Sequence, residues 1–351
     1  MNGRPTLPFS WAGGKQMMTF LLLPLIPPHE EYVEPFFGSG ALFFRKEPSR
    51  LETLNDIDRD IANFFRVLRD RLPEFLLLAE LTLVSRSLYE ECRRAYRHED
   101  DPVRRAWMWW VVASQSTSGT FGRGWSRMKQ AGRAGPPRRL ASRIRSLAAV
   151  AGRLQGAQIE DKDALECMGE FCRPTSFCYV DPPYLHSSRR DTRLYVRETT
   201  LFGHDRLVRA LLELPGHFLV SGVVHPIYAP LEDAGWTRLD FRRPDCATPR
   251  DRHTAHRDDG EDGAGWRNES LWVHPRTWEH ARAGPLAELV AKCQRMGRSL
   301  SYMTGLRGDH HTTTTTDALR LPLEGAGDAP LPGDPSPGQR PERAGGPGLD
   351  P

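Results

Sequence analysis

Lysine is scarce in this chain of 351 residues: of its 48 basic residues only five are lysine. A GC-rich coding bias enriches arginine without selection, so arginine content alone carries no functional weight. Cysteine is sparse and unpatterned. Cys92, Cys167, Cys172, Cys178, Cys246 and Cys293 show no paired C-x-x-C spacing and no regular framework, which excludes a disulfide scaffold and reads as reduced thiols. The spacings of Cys167, Cys172 and Cys178 do not suit zinc, and no metal is expected. Long hydrophobic runs are also missing. The longest candidate, Met17 to Ile26, contains Pro24, is followed by Pro27 and Pro28, and lacks a small-residue cleavage site. It is far shorter than the ~20 residues that a membrane span requires. It reads as a buried helix ended by prolines, in a chain expected in the cytoplasm of a bacterium or a phage-infected cell, with no membrane partner.

What is present is a soluble-protein composition with 39% hydrophobic residues and a net charge of +3. Glu31 to Phe37 reads as a short strand running into Gly38-Ser39-Gly40, and Ala41 to Lys46 as a helix start. Leu51 to Leu54 is a second strand, ending at Asn55-Asp56-Ile57-Asp58. A helical pattern follows from Ile61 to Leu78, with Phe64, Phe65, Leu68 and Leu72 on its apolar face. Strand, glycine turn, helix, strand and acid is the rhythm of a doubly wound α/β unit. The pattern resumes with strands at Ala157 to Glu160 and Phe177 to Val180, a helix at Leu201 to Leu214, a strand at His217 to Ser221 and a helix at Pro226 to Ala234. Arg238 to Phe241 and Ser270 to Val273 are closing strands, and Arg242 to Arg267 is a polar loop between them.

The net charge hides a local asymmetry. From Pro102 to Gln158 there is no Asp or Glu, whereas Arg and Lys occur 11 times. Trp107, Trp109, Trp110, Phe121 and Trp125 are interleaved with them. Arginines that meet phosphates and rings that pack or stack suit a nucleic-acid surface. The Trp107 to Trp110 cluster reads as core, and the glycine-rich loop Gly119 to Lys129 as a DNA contact through Arg123, Arg127 and Lys129. Beyond about residue 300, His310-His311, the run Thr312 to Thr316 and a Pro/Gly-rich ending bury too little apolar surface to offset ordering entropy.

Asp181-Pro-Pro-Tyr184 ends an apolar strand. An exocyclic amine on a base is a poor nucleophile, because its lone pair is delocalised into the ring. Two acceptors on its N–H groups pull the nitrogen toward tetrahedral geometry. The Asp181 carboxylate and the Pro182 carbonyl are those candidates, since Pro183 brings no competing N–H. Tyr184 offers a face for an extruded base. In Glu34-Pro-Phe-Phe-Gly-Ser-Gly40 the glycines allow close ligand approach, and Asp56 lies about 20 residues on, placed to accept ribose hydroxyls. Asp163 is placed to meet an adenine ring, and Phe9-Ser-Trp-Ala-Gly-Gly-Lys15 presents Lys15 from a two-glycine turn beside Trp11.

Together these motifs resemble the DNA (adenine-N6) methyltransferase family that includes the bacterial Dam enzymes. The resemblance spans about residues 7–275 in the family's motif order. It implies a Rossmann-like seven-stranded α/β fold with a mostly helical target-recognition insertion. The expected division is a catalytic domain at 1–70 and 155–275, a basic insertion at 71–154, a C-terminal helix within 276–299 and a disordered tail at 300–351. S-adenosylmethionine is the implied cofactor: by resemblance Trp11, Lys15, Asp56 and Asp181 match positions that bind it, and Asp181 with Tyr184 also serves the target base. The motif reading adds Glu34, Phe36, Gly38, Gly40 and Asp163 to the cofactor set and Pro182 to the base set. The implied partner is double-stranded DNA, with a cognate restriction endonuclease as a further partner and a monomer as the acting unit. Ser10 departs from the basic residue usual before the tryptophan, and Ser221-Gly-Val-Val-His-Pro lacks the polar residues common after that strand. Competing readings are methylation of cytosine N4, an inactive DNA-binding relative, and an RNA or protein methyltransferase. Related protein-glutamine enzymes carry Asn where this chain has Asp181.

Overall fold

A computed structural model describes residues 5–127, 135–184, 201–244 and 266–288. Seven strands form one sheet: β1 Glu31–Glu34, β2 Leu51–Asn55, β3 Ala157–Glu160, β4 Ser176–Val180, β5 His217–Gly222, β6 Thr237–Pro244 and β7 Trp266–Val273. Their order is β3-β2-β1-β4-β5-β7-β6. The first five run parallel, while β7 is antiparallel to both β5 and β6. This is a Rossmann-like seven-stranded α/β architecture, as expected. Its helices are α1 Thr19–Leu22, α2 Arg59–Asp70, α3 Leu72–Glu80, α4 Arg86–Ala95, α5 Pro102–Gln115, α6 Pro136–Leu154, α7 Ala164–Phe171, α8 Leu201–Glu213, α9 Ala229–Asp233 and α10 Pro275–Ala283.

Alternation along the strands builds two cores, one on each face. Tyr32, Phe177, Tyr179, Leu219 and Leu271 pack with residues of α2, α3, α5 and α6. Val33, Cys178, Val180, Val220 and Trp272 face the other way and pack with residues of α7, α8 and α9. Cys167 and Cys172 lie buried in that second core. The Trp107–Trp110 cluster is core, as its pattern predicts: Trp109 and Trp110 are buried, and Trp110 Nε1 donates to the Pro8 carbonyl at 2.8 Å. Phe9 meets Trp109 and Phe64 edge to face, with centroids 4.9 and 5.4 Å apart. The N-terminal segment is therefore pinned between α2 and α5, which fixes where Trp11 and Lys15 emerge.

The structure corrects several element boundaries. The pattern from Ile61 to Leu78 forms two helices, because Pro73 lacks the N–H needed to continue α2; Arg71 leaves helical geometry and α3 starts after it. Met17–Ile26 is not one buried helix but 3₁₀ turns at Lys15–Met18 and Leu23–Leu25 around the single turn of α1, and Met17 is 72% exposed. Pro24 again limits the ladder. The strand expected to reach Phe37 ends at Glu34, and Ala41–Lys46 forms hydrogen-bonded turns without becoming a helix. The closing strands reach further than expected, so Arg242–Pro244 and Trp266–Arg267 belong to β6 and β7 rather than to a loop. The rest of that loop, Lys129 and the tail beyond 300 lie outside the described residues. No helix among the described residues is long and apolar enough to cross a membrane.

Candidate active site

Strand order reverses between β1 and β4, since β2 and β3 follow on one side and β5 on the other. At such a switch point the loops after the two strands separate and leave a crevice. Here that geometry brings Phe36–Ser39 and Asp181–Tyr184 to one cavity of about 540 Å3, together with Trp11–Lys15 and Asp56–Asp58.

The turn after β1 is shaped by backbone that only glycine adopts easily. Gly38 has φ +50°, and a Cβ there would stand 3.2 Å from Trp11 Cδ1. Its N–H donates to Asp56 Oδ2 at 2.8 Å, and Asp58 N–H donates to Asp56 Oδ1 at 2.9 Å. Burial pushes the Asp56 carboxyl up to about 7, although those two N–H groups favour the ionised form. Glu34 ends β1 against the same cavity, fully covered, and accepts from Tyr32 Oη at 2.7 Å. Burial pushes it up to about 8, although the Tyr32 hydrogen bond favours the ionised form.

Gly13 and Gly14 form the expected turn, in which Gly14 N–H donates to the Trp11 carbonyl at 3.0 Å. Lys15 follows, buried, with Nζ 2.6 Å from Asp181 Oδ1 and 3.0 Å from Glu269 Oε1. Burial alone would lower the Lys15 ammonium, but the Asp181 and Glu269 carboxylates outweigh it and hold it well above its ordinary value. The same Nζ stands 5.3 Å from the Tyr184 ring centroid, and Tyr184 Oη donates to Glu269. His204 braces the loop after β4: its Nε2 lies 3.0 Å from the Pro183 carbonyl and its Nδ1 lies 2.7 Å from Tyr228 Oη. With Tyr228 donating to Nδ1, Nε2 carries the proton and donates to Pro183, which sets the direction of that carbonyl.

Of the residues singled out from sequence, Trp11, Lys15, Glu34, Phe36, Gly38, Asp56, Asp181, Pro182 and Tyr184 line the cavity. Two do not. Gly40 lies behind the wall and shapes the turn, with φ +67° against Phe37 and Phe44. Asp163 is exposed and caps α7, accepting from Leu165 N–H at 2.9 Å, so it is no part of the lining. Arg123 and Arg127 are exposed on a loop pinned by Thr117 N–H to the Gly124 carbonyl and Ser126 N–H to the Gln115 carbonyl. Phe121 of that loop lies over Trp109 at 5.5 Å and reaches the cavity. At the departure noted before the tryptophan, Ser10 Oγ accepts from Arg143 of α6 at 2.5 Å. Burial pushes that guanidinium down to about 10.

Sequence reading missed Glu269 and the basic rim formed by Arg93, Arg94, Arg97 and His98. The rim is visible as a run of cations around the end of α4. Glu269 carries no local signal, since only β7 pairing brings it here.

Residues 11–225 match the family described as D12 class N6 adenine-specific DNA methyltransferase. The "DNA adenine methylase" of Escherichia coli (strain K12) is 31% identical over 100 residues, which cover 27% of this chain and 36% of that protein. The "DNA adenine methylase" of Vibrio cholerae serotype O1 (strain ATCC 39541 / Classical Ogawa 395 / O395) is 29% identical with the same coverage. "Type II methyltransferase M1.LlaDCHI" of Lactococcus lactis subsp. cremoris is 36% identical over 72 residues, 20% of this chain and 25% of that one. The match thus spans 36% of the length of the DNA adenine methylases.

Proposed function

This chain belongs to the D12 class N6 adenine-specific DNA methyltransferases, and from that membership we propose that it methylates the N6 amino group of adenine in double-stranded DNA, with S-adenosylmethionine as donor. One observation carries the reading: Asp181, held by Lys15, opens onto the same cavity as Asp56. An acceptor for an amine and an acceptor for ribose hydroxyls thus share one crevice. The residues fit the donor. Asp56 offers a carboxylate to a ribose, Trp11 and Phe36 offer flat apolar faces, and Gly38 lets the indole lie against the turn. Lys15 and Glu34 complete the holding set. S-adenosylmethionine supplies, when bound, an electrophilic methyl group on a positively charged sulfur.

The chain's own residues do the rest. Asp181 and the Pro182 carbonyl accept from the two N–H groups of the adenine amine, which frees the nitrogen lone pair and stabilises the charge that develops on it. Tyr184 provides the ring on which an extruded base stacks. Arg123, Arg127 and Lys129 are the proposed DNA contacts. The in-line transfer needs orientation and no covalent enzyme intermediate. A single chain carries every group named, so a monomer suffices, and the cytoplasm is where its substrate lies. A cognate restriction endonuclease is the further cellular partner in this reading.

Two measurements follow. Mapping of modified bases in DNA from cells expressing the chain should show N6-methyladenine at a fixed sequence; N4-methylcytosine there would overturn the choice of base, and unmodified DNA the activity. Cofactor binding should also depend on pH through Asp56. Below about 7 that group is protonated and accepts fewer hydroxyl bonds, so calorimetric affinity should rise as pH climbs through about 7, ahead of the Glu34 carboxyl at about 8. Asp56→Asn should weaken binding and flatten the profile; an unaltered slope would separate Asp56 from the ribose.

A further inference from the structure

Glu269 is the second carboxylate on Lys15, and it arrives from the far side of the sheet. Along β7, period two places Glu269 on the same face as Leu271 and Val273, the face that carries the Tyr179 side of the sheet. Its side chain is fully buried, 3.0 Å from Lys15 Nζ, and it accepts from Tyr184 Oη. A carboxylate in such a place is costly unless it is paired, and here it is paired to the ammonium that also holds Asp181. The local count is one cation and two carboxylates.

That count has a chemical consequence. In a two-member pair, Lys15 would offset the whole charge of Asp181 and compete with the substrate amine for its lone pairs. With Glu269 sharing the ammonium, the cluster keeps one net negative charge on the cavity side, where Asp181 is 20% exposed. The hydrogen bond from Tyr184 also sets the direction of the ring that faces the cavity.

We propose that Glu269 is a positioning residue that neutralises Lys15, so that Asp181 keeps its charge for the substrate amine, and that it fixes the Tyr184 ring. The inference rests on the proposed adenine methylation, and its test is chosen to be separable from that reading. Glu269→Gln keeps the shape and an acceptor for Tyr184 but removes the charge. Single-turnover methylation by this variant should fall at least about tenfold at saturating cofactor, with cofactor affinity within about threefold of wild type. In the Lys15→Met background, where no ammonium competes for Asp181, the same substitution should change the rate by less than about threefold. Equal losses in both backgrounds, or no loss in the first, would overturn the proposal. If Glu269→Gln, which leaves the buried ammonium with Asp181 as its remaining carboxylate, unfolds the chain, Lys15→Met should restore folding, and failure of that rescue would equally count against it. An NMR titration of the labelled Lys15 amine gives a readout independent of DNA. Its midpoint should drop in Glu269→Gln, with Asp181, Tyr184 and Tyr179 still facing it; an unchanged midpoint would refute the neutralising role even if the wild-type chain failed to methylate DNA.

Discussion

Asp181→Ala is expected to lower single-turnover methyl transfer by at least about 10²–10³-fold, the usual range for removing one preorganised charge-stabilising group. The size of the effect follows from where the carboxylate sits. It is held at 2.6 Å from Lys15 at the mouth of the cavity, so its orientation is set before any substrate enters. The adenine amine then loses an acceptor that water cannot replace in a closed site. The fold should survive, because Lys15 keeps Glu269 as a partner at 3.0 Å and is not left as an isolated buried cation. Circular dichroism and thermal unfolding of the variant should therefore stay close to wild type while labelled methyl transfer disappears. Asp181→Asn separates charge from shape: it should retain more activity than Ala and still fall well below wild type.

Gly40→Ala should destabilise the chain strongly for the addition of a single methyl group. Gly40 sits at φ +67°, a region that costs an L-residue about 1–2 kcal/mol. The added Cβ would also stand 2.5 Å from Phe37 Cζ and 2.8 Å from Phe44 Cε2, inside a cluster where Phe37, Phe43, Phe44 and Phe65 touch one another. Overpacking a filled core typically adds about 1–3 kcal/mol. The expected total is roughly 2–5 kcal/mol, read as a drop in urea midpoint with an unchanged slope. Cofactor affinity should fall with it, because the same turn carries the Gly38 N–H that orients Asp56. Gly122→Ala is the control: its φ is also positive, but nothing lies within 4 Å of the new Cβ, so only the backbone cost applies.

Much of the site was legible because its residues end strands. An apolar run that stops at a glycine turn or at Asp-Pro-Pro-Tyr marks a carboxyl end of the sheet, and the strand order puts those ends together. Lys15 and Asp181 are 166 residues apart, yet both could be named, since each stands in a motif whose local chemistry is readable. Glu269 stands in no motif. It meets Tyr184 across 85 residues through the antiparallel pairing of β7 with β5, and side-chain alternation on that strand is visible only once its register is known. Asp163 went the other way. An acid before Ala164-Leu165-Glu166 is also a helix cap, and the local hydrogen bond to Leu165 prevails over a reach into the cavity. The split between α2 and α3 was written in Pro73, but the continuous apolar stripe across it masked the break.

The central claim is that one crevice at the β1/β4 switch point presents Asp181 to an everted adenine while Asp56 holds the donor. The most direct test incubates the purified chain with DNA and S-adenosylmethionine labelled in its methyl group, digests the DNA to nucleosides and locates the label by chromatography. Label in N6-methyldeoxyadenosine, absent with Asp181→Ala, is the predicted result. Label in N4-methyldeoxycytidine, or full labelling by the Asp181→Ala chain, would contradict it.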